Sequence, residues 1–319
     1  MTRIGFLIVL MLTLFSCKEQ PTVQMEISDI VVDVKVDRFE EKFYNATALT
    51  LPNLKSEYPF LFPIQNADSV WLNRINNVEE KELFAASQKV FGDFKSEKMA
   101  LKNLFGHVKN NHPSFKPPQI ITLITKLDYE NKVMYADSLL FVSLDMYLGK
   151  NNEAYNDFPK YLSQNFEKSR LVVDVAMAIS ERYLSGRRSR QFLDMIIEEG
   201  KKMHLVDTYL PAVSEAQKMG YTQEKLDWVI ANESQIWKYF IENKLLYSTD
   251  SDLYARFVSN APFSKFYIDI DKESPGRIGV WLGWKIVSSY MRNNDVTLQH
   301  LLQSEATEIF TKSKYKPKK

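Results

Sequence analysis

The stretch that decides the fold class runs from Ile120 to Leu144 and reads IITLITKLDYENKVMYADSLLFVSL. Its beginning is rich in β-branched side chains, which favour extended backbone. Two further apolar runs, Val133–Ala136 and Leu139–Leu144, follow at a spacing typical of a hairpin. Pro117 and Pro118 precede the stretch and separate it from the residues before it. The stretch therefore predicts a small sheet of three or four strands.

The residues on both sides of this sheet have the spacing of amphipathic helices. Apolar residues recur at helical intervals from Ser69 to Phe115, and the same spacing returns after Pro159 and again from Ile278 to Tyr290. An alternating run from Ile30 to Val36 predicts an opening strand. No repeat and no linker divides the chain after the N-terminal region. We therefore predict a single, mostly helical α+β domain over residues 29–319.

The composition excludes several classes of protein. Apolar residues make up 45% of the 319 residues and charged residues 25%, the ordinary balance of a globular chain. A chain of this length can bury a core without disulfide bonds. Its 41 Lys and Arg against 40 Asp and Glu give a net charge of +1. Such a chain has no global attraction for nucleic acid, so we expect no nucleic-acid partner.

The chain begins with the pattern of a bacterial lipoprotein signal. Met1 to Arg3 is a short basic start, and Ile4 to Phe15 is an uncharged apolar run. This run is shorter than the about 20 residues that span a bilayer, and it suits a signal peptide. Leu14-Phe15-Ser16 then precedes Cys17, the only cysteine in the sequence. Lipoprotein processing requires a thiol there, because the sulfur takes a diacylglyceryl group. We expect a signal peptide over residues 1–16 and lipidation at Cys17.

Cleavage before Cys17 would free an amine for a further acyl chain, which makes anchoring stable. The residues that follow have no periodic apolar pattern, so residues 17–28 are predicted to form a lipidated tether. Lys18 and Glu19 follow the cysteine, and Asp is absent from the position after it. We therefore expect a lipid-anchored protein of the cell envelope, in the outer membrane of a bacterium with two membranes.

The sequence contains none of the common catalytic or metal-binding motifs. There is no His-Glu-x-x-His pair, no Gly-x-Ser-x-Gly elbow and no phosphate-binding P-loop. His107 and His112 are five positions apart, which is the wrong spacing for one helix face. The only other histidines are His204 and His300. We therefore expect no metal ion and no cofactor.

Four residues form the first candidate site. Asp174 and Glu181 are seven positions apart on a predicted helix and roughly share one side. Glu199 and His204 lie on the next predicted helix. Paired carboxylates can perform acid–base chemistry where burial separates their pKa values. The more common explanation of such pairs is a solvated helix face.

The second candidate site is the segment Ser274–Trp284, which reads SPGRIGVWLGW. Its closely spaced glycines among tryptophans predict backbone that packs closely against aromatic rings. Such a segment is usually a structural corner. The alternative is an aromatic groove for a peptide or a glycan, in which Trp281 and Trp284 would be the binding residues.

Several segments together suggest a family. They are the lipidation pattern at Cys17, Ser143–Gly149 (SLDMYLG), Pro262–Lys265 (PFSK), Ser274–Gly279 (SPGRIG) and Lys312–Pro317 (KSKYKP). In this combination the chain resembles, over nearly its whole length, the gliding motility lipoprotein GldB family of Bacteroidetes. The resemblance implies a lipid-anchored envelope protein needed for gliding over surfaces, and it implies no particular biochemical activity.

A weaker resemblance is to predicted zinc peptidases with a zincin-like scaffold. Such enzymes place two histidines and a catalytic glutamate on one helix, because residues i and i+4 share the face towards the metal. The corresponding residues here are Asp174–Ala178 (DVAMA), in which Val175 and Ala178 can supply neither a base nor a ligand. Asp174 would replace the first histidine and Glu199 would match the third ligand. The resemblance implies a scaffold without zinc ligands, whose cleft is free for binding.

Three functions follow from these observations. The one we favour is a non-catalytic envelope lipoprotein that supports gliding through protein–protein contacts with the motility machinery. The second is a hydrolase that uses carboxylates such as Asp174, Glu181 and Glu199, or an unrecognised zinc site. The third is a peptide- or glycan-binding module built on Trp281 and Trp284.

Overall fold

The stretch from Ile120 to Leu144 forms most of a four-stranded sheet. The computed structural model describes residues 32–184 and 190–318. Its strands are β1 (Val36–Asp37), β2 (Gln119–Leu123), β3 (Val133–Ala136) and β4 (Leu139–Ser143). Their order in the sheet is β1-β2-β4-β3, with β1 and β4 parallel to β2 and β3 antiparallel to β4. The predicted hairpin is therefore confirmed.

The opening strand is short: of the described residues before α1, only Val36 and Asp37 pair with β2. Ile120 pairs with Val36 on one side and with Leu140 on the other. Ile120 and Leu140 are both fully buried. Ile30 and Val31 lie outside the described residues, and residues 32–35 form no further ladder.

Helices occupy most of the remaining chain, as the apolar spacing predicts. Those before β2 are α1 (Phe39–Tyr44), α2 (Leu51–Glu57), α3 (Asp68–Asn76), α4 (Val78–Phe91) and α5 (Lys95–Asn111). Those after the sheet are α6 (Lys160–Ser163), α7 (Leu171–Glu181), α8 (Phe192–Tyr209), α9 (Glu215–Met219), α10 (Gln223–Ala231), α11 (Glu233–Glu242), α12 (Asp252–Phe257), α13 (Ile278–Asn293), α14 (Leu298–Gln303) and α15 (Ala306–Ser313). The mostly helical α+β class is therefore confirmed.

Local sequence explains several of the helix ends. The side chains of Asn77, Ser214 and Thr222 accept hydrogen bonds from backbone N–H groups in the first turns of α4, α9 and α10. Gly220 ends α9 in the left-handed conformation, which glycine adopts without a steric penalty. None of the helices in the described part of the chain combines the length and the apolar character needed to cross a bilayer.

The core consists of two clusters of buried apolar side chains, and α8 contributes to both. Leu205 and Val206, near its C-terminal end, belong to the cluster that contains the sheet and α7. Phe192 and Ile196, near its N-terminal end, belong to the cluster that contains α13. Helix α8 is therefore the element that joins the two halves of the core.

Helices α8 and α13 cross with their backbones in direct contact. A Cβ atom on Gly283 would overlap the carbonyl oxygen of Ile196, and one on Gly200 would overlap the backbone of Gly283. The close packing predicted for the glycine-rich segment is present. Its partner at Gly283 is the backbone of another helix, whereas the sequence suggested aromatic rings.

Candidate functional site

A cleft with a volume of about 610 Å³ contains two of the predicted carboxylates. Asp174 lines it from α7 and Glu199 from α8, and the residues before β3 form another wall. The loops that follow α9 and precede α13 complete the cleft, at Gly220 and Gly276. The tertiary structure thus brings together two carboxylates that lie on different helices.

Asp174 is largely buried, with 11% of its side chain exposed, and is held by two cations. Its carboxylate accepts hydrogen bonds from Lys132 Nζ at 2.5 Å and from Arg170 Nε at 2.9 Å. The hydroxyl of Tyr147 donates a third at 3.0 Å. Burial alone would raise the pKa of Asp174, but the two cations outweigh it and hold the pKa below its ordinary value. Asp174 is therefore an ionised member of an ion pair at neutral pH.

Glu199 and Glu181 share one lysine. Lys202 Nζ lies 3.1 Å from Glu199 and 3.3 Å from Glu181. The Glu199 side chain is 23% exposed, and that of Glu181 is 62% exposed at the end of α7. Glu181 and Glu199 are thus linked through Lys202, Asp174 lines the same cleft as Glu199, and each of the three carboxylates is paired with a lysine or an arginine.

His204 is separate from this group of side chains. It lies one turn beyond Glu199 on α8 but does not line the cleft. Its Nδ1 atom is buried and has no hydrogen-bond partner among residues 32–184 and 190–318, and burial lowers the pKa of the ring. The neutral imidazole is therefore favoured, and the structure gives it no contact with Asp174 or Glu199.

Trp281 and Trp284 belong to the core, so the alternative of an aromatic groove at these two rings is wrong. Trp281 is fully buried and Trp284 is 2% exposed. Helix α13 packs against α8 on one side and α15 on another, which leaves neither ring a surface. The Nζ atom of Lys285 lies 5.4 Å and 4.9 Å from the two ring centres. These tryptophans stabilise the packing of α13.

The cleft also contains cations that the sequence analysis did not identify. They are Lys132, Arg170, Lys202, Lys225 and Arg277. Only Arg277 lay in a segment already singled out, the SPGRIG motif. The others lie in the turn before β3, just before α7, and in α8 and α10, and no spacing relates them. Their common position depends on the tertiary structure.

Two predictions concern metals and lipid. Within residues 32–184 and 190–318, no group of three or more His, Cys, Asp or Glu side chains is placed to hold a metal ion. The predicted signal peptide, the lipidation site Cys17 and the tether over residues 17–28 lie outside the described residues.

A comparison with known proteins identifies the family. The family model of the gliding motility protein GldB matches residues 20–317, nearly the whole chain. No curated protein and no solved structure matches the chain. The zincin-like scaffold suggested by the sequence therefore has no support from a known fold. The extent of the family match establishes that the chain belongs to the family of the gliding motility protein GldB, a lipoprotein family associated with the cell envelope.

Proposed function

We propose that this gliding motility protein is a non-catalytic component of the cell envelope. In this proposal a lipid at Cys17 anchors it to the outer membrane, and the folded domain acts through contacts with other proteins of the motility machinery. The observation that carries the proposal is that the carboxylates Asp174 and Glu199 in the cleft are both held in ion pairs.

Acid–base catalysis makes demands that Asp174 does not meet. A general acid or base works best when its pKa lies near the operating pH. The cations Lys132 and Arg170 hold the pKa of Asp174 below its ordinary value, so this carboxylate is a poor proton donor. Both of its oxygens accept hydrogen bonds from these cations, which reduces their capacity to bind a substrate or a metal ion.

The deciding experiment is the substitution Glu199→Gln, introduced as the only copy of the gene in a gliding strain. Glutamine keeps the size of the side chain and can still accept a hydrogen bond from Lys202. We expect gliding at the wild-type rate, because a pairing role does not require the proton chemistry of a carboxylate. A hydrolase that uses Glu199 predicts that gliding is lost.

Glu215→Gln is a suitable control, because Glu215 forms a comparable pair with Lys285 at 2.7 Å outside the cleft. Abundance and melting temperature should be measured for both variants. Loss of gliding in Glu199→Gln alone, at normal abundance and melting temperature, would establish a chemical role for Glu199 and reject the proposal.

The anchor is tested separately by Cys17→Ala. We expect the variant to leave the outer-membrane fraction and to lose gliding, because no acyl chain can be attached without the thiol. Cys17→Ser is the matched control, since serine preserves the size of the side chain but lacks the nucleophilic sulfur. Membrane fractionation and gliding that are unchanged in both variants would contradict the anchoring role.

A further inference from the structure

The cleft carries an excess of positive charge. Five cationic side chains line it against the three carboxylates of Glu130, Asp174 and Glu199. Lys202 is shared between Glu199 and Glu181, so that end of the cleft is neutralised. The excess is found at Lys225 and Arg277, which are close because Lys225 donates to the carbonyl of Ser274, three residues before Arg277.

Lys225 is a cation without a carboxylate partner in the described part of the chain. Its Nζ atom donates to the carbonyl oxygens of Glu273 at 2.7 Å and Ser274 at 3.1 Å. Carbonyl groups orient the ammonium group but do not neutralise its charge. Burial lowers the pKa of Lys225, and the opposing effect of the Glu273 and Glu224 carboxylates, neither of which forms an ion pair with it, does not cancel this shift.

Arg277 is held in a comparable way next to Arg170. Its Nη1 atom donates to the carbonyl oxygen of Met219 at 3.1 Å, and no ion pair within 4.0 Å joins its guanidinium group to a described carboxylate. Arg170 donates to the preceding carbonyl groups of Gln217 and Lys218. The C-terminal end of α9, which carries partial negative charge, thus orients both guanidinium groups. The remaining nitrogens of Arg277 have no partner among the described residues.

The backbone of Arg277 has an unusual conformation that fixes the direction of its side chain. It has a φ of 60° and lies in the left-handed region, which is unfavourable for a residue other than glycine. The adjacent Gly276 leaves no room for a side chain, because a Cβ there would overlap the carbonyl oxygen of Ala261. The carbonyl oxygen of Gly276 itself accepts a hydrogen bond from the hydroxyl of Tyr221 at 2.6 Å. The loop is therefore fixed tightly where it presents Arg277 to the cleft.

The cleft surface also includes several tyrosines. Tyr129, Tyr161 and Tyr254 line it, and Tyr129 and Tyr254 are 39% and 48% exposed. Exposed tyrosines pack against aliphatic and peptide groups and lose little conformational entropy on binding, which is why interfaces are rich in them. A ligand that carried only an anionic group would make no use of these rings.

We infer that the cleft binds an acidic peptide segment of a partner protein, with a carboxylate at the Lys225–Arg277 end and neighbouring side chains against the tyrosines. This inference rests on the proposed function, because it specifies where the partner contact is made and what chemistry the partner presents. The forked guanidinium group of Arg277 suits a carboxylate, which accepts two parallel hydrogen bonds.

The test uses the full-length protein in detergent and a fluorescein-labelled peptide in which glutamate alternates with leucine. Binding is measured by fluorescence anisotropy, with a control peptide that has glutamine at every glutamate position. We expect the glutamate peptide to bind at least about tenfold more tightly. Raising the salt from about 0.1 M to about 1 M should weaken its binding, because the Debye length falls from about 10 Å to about 3 Å. Equal binding of the two peptides would overturn the inference.

Variants of the protein locate the binding site. Lys225→Gln and Arg277→Gln should each weaken binding of the glutamate peptide by about tenfold. The control Lys102→Gln removes an exposed charge from α5, outside the cleft, and should leave affinity unchanged. Arg277→Lys keeps the charge and should recover part of the affinity, which separates loss of charge from loss of folding. Unchanged binding by Lys225→Gln and Arg277→Gln would overturn the inference.

Competition distinguishes a peptide site from a simple anion site. Inorganic phosphate should displace the labelled peptide only at concentrations far above those of the unlabelled peptide. Displacement at equal concentrations would reject the peptide assignment. If the protein does not bind the peptide and the strain with Glu199→Gln still glides, this inference is rejected. The proposed function then remains in place.

Discussion

Glu199 and Gly200 are neighbours in the sequence, yet they face opposite environments in the structure. Glu199 points into the cleft and pairs with Lys202, whereas Gly200 meets the backbone of Gly283 on α13. An α-helix turns by about 100° per residue, so adjacent positions on α8 belong to different surfaces. The comparison teaches that one helix can combine a polar, accessible wall with a contact that has no room for a methyl group.

The two surfaces depend on different kinds of energy. The contact between α8 and α13 depends on steric fit, which fails abruptly when an atom is added. The wall of the cleft depends on ion pairs. An exposed pair contributes little to stability, whereas removing one partner of a buried pair is costly because it leaves an uncompensated buried charge. Substitutions on the two surfaces should therefore differ strongly in their effect on stability.

The largest effect is expected for Gly283→Ala. The added methyl group overlaps the carbonyl oxygen of Ile196, so the two helices must separate. We expect a loss of more than about 4 kcal/mol in the free energy of unfolding, or failure to fold. Chemical denaturation measures the loss. Gly279→Ala is the control on the same helix. Its added Cβ would lie 2.9 Å from the carbonyl oxygen of Phe257, whereas the Cβ at Gly283 would lie much closer to that of Ile196. Equal losses in the two variants would show that steric fit does not dominate this contact.

Asp174→Asn should have the next largest effect, because it leaves the buried Arg170 and the partly buried Lys132 without their carboxylate. We expect a loss of about 3 kcal/mol in the free energy of unfolding. The control Glu308→Gln breaks an exposed pair with Lys312 and should change stability very little. Equal free energies of unfolding for Asp174→Asn and Glu308→Gln would show that the ion pairs of Asp174 do not stabilise the cleft.

The contribution of Asp174 should also depend on pH. Its pKa is lowered in the folded protein, so its stabilisation is fully present above the pKa of an unfolded aspartate, about 3.9. It disappears as the pH falls through the lower pKa of the folded state. The difference in stability between wild type and Asp174→Asn should therefore be constant near neutral pH and shrink in acid. Denaturation curves over a pH series measure this, and a difference that grows in acid would contradict the lowered pKa.

The smallest effect on stability is expected for Glu199→Gln, although the adjacent Gly200 is among the positions most sensitive to substitution. Its side chain is partly exposed, and Lys202 keeps Glu181 as a partner. We expect a loss below about 1 kcal/mol in thermal or chemical denaturation. Gly200→Ala should be far more damaging, because its Cβ overlaps the backbone of Gly283. Similar losses at these neighbouring positions would remove the distinction between the two surfaces of α8.

Much of the fold could be predicted because its signals are local. The β-branched run from Ile120 and the two apolar runs after it predict strands, and β3 and β4 form the expected hairpin. The helix predicted over residues 278–290 is present and extends to Asn293. The parallel pairing of β1 and β4 with β2 was not predicted, because it joins segments that no local pattern connects.

The candidate site was predicted only in part. Asp174 and Glu199 line one cleft and Glu181 shares Lys202 with Glu199, but the sequence could not show that cations hold these carboxylates. Trp281 and Trp284 looked available for binding because an apolar helical pattern does not reveal how many sides of the helix are covered. In α13 the covered surface includes both rings.

The sequence by itself determined the mostly helical α+β class, and its combined motifs pointed to the GldB family, because composition, local spacing and short motifs are properties of neighbouring residues. Only the tertiary structure decided which charges meet in the cleft, which face of α8 is accessible and which aromatic rings are buried. These depend on contacts between residues far apart in the chain. Lys132, Arg170 and Arg277 share one cleft because the folded backbone brings them there.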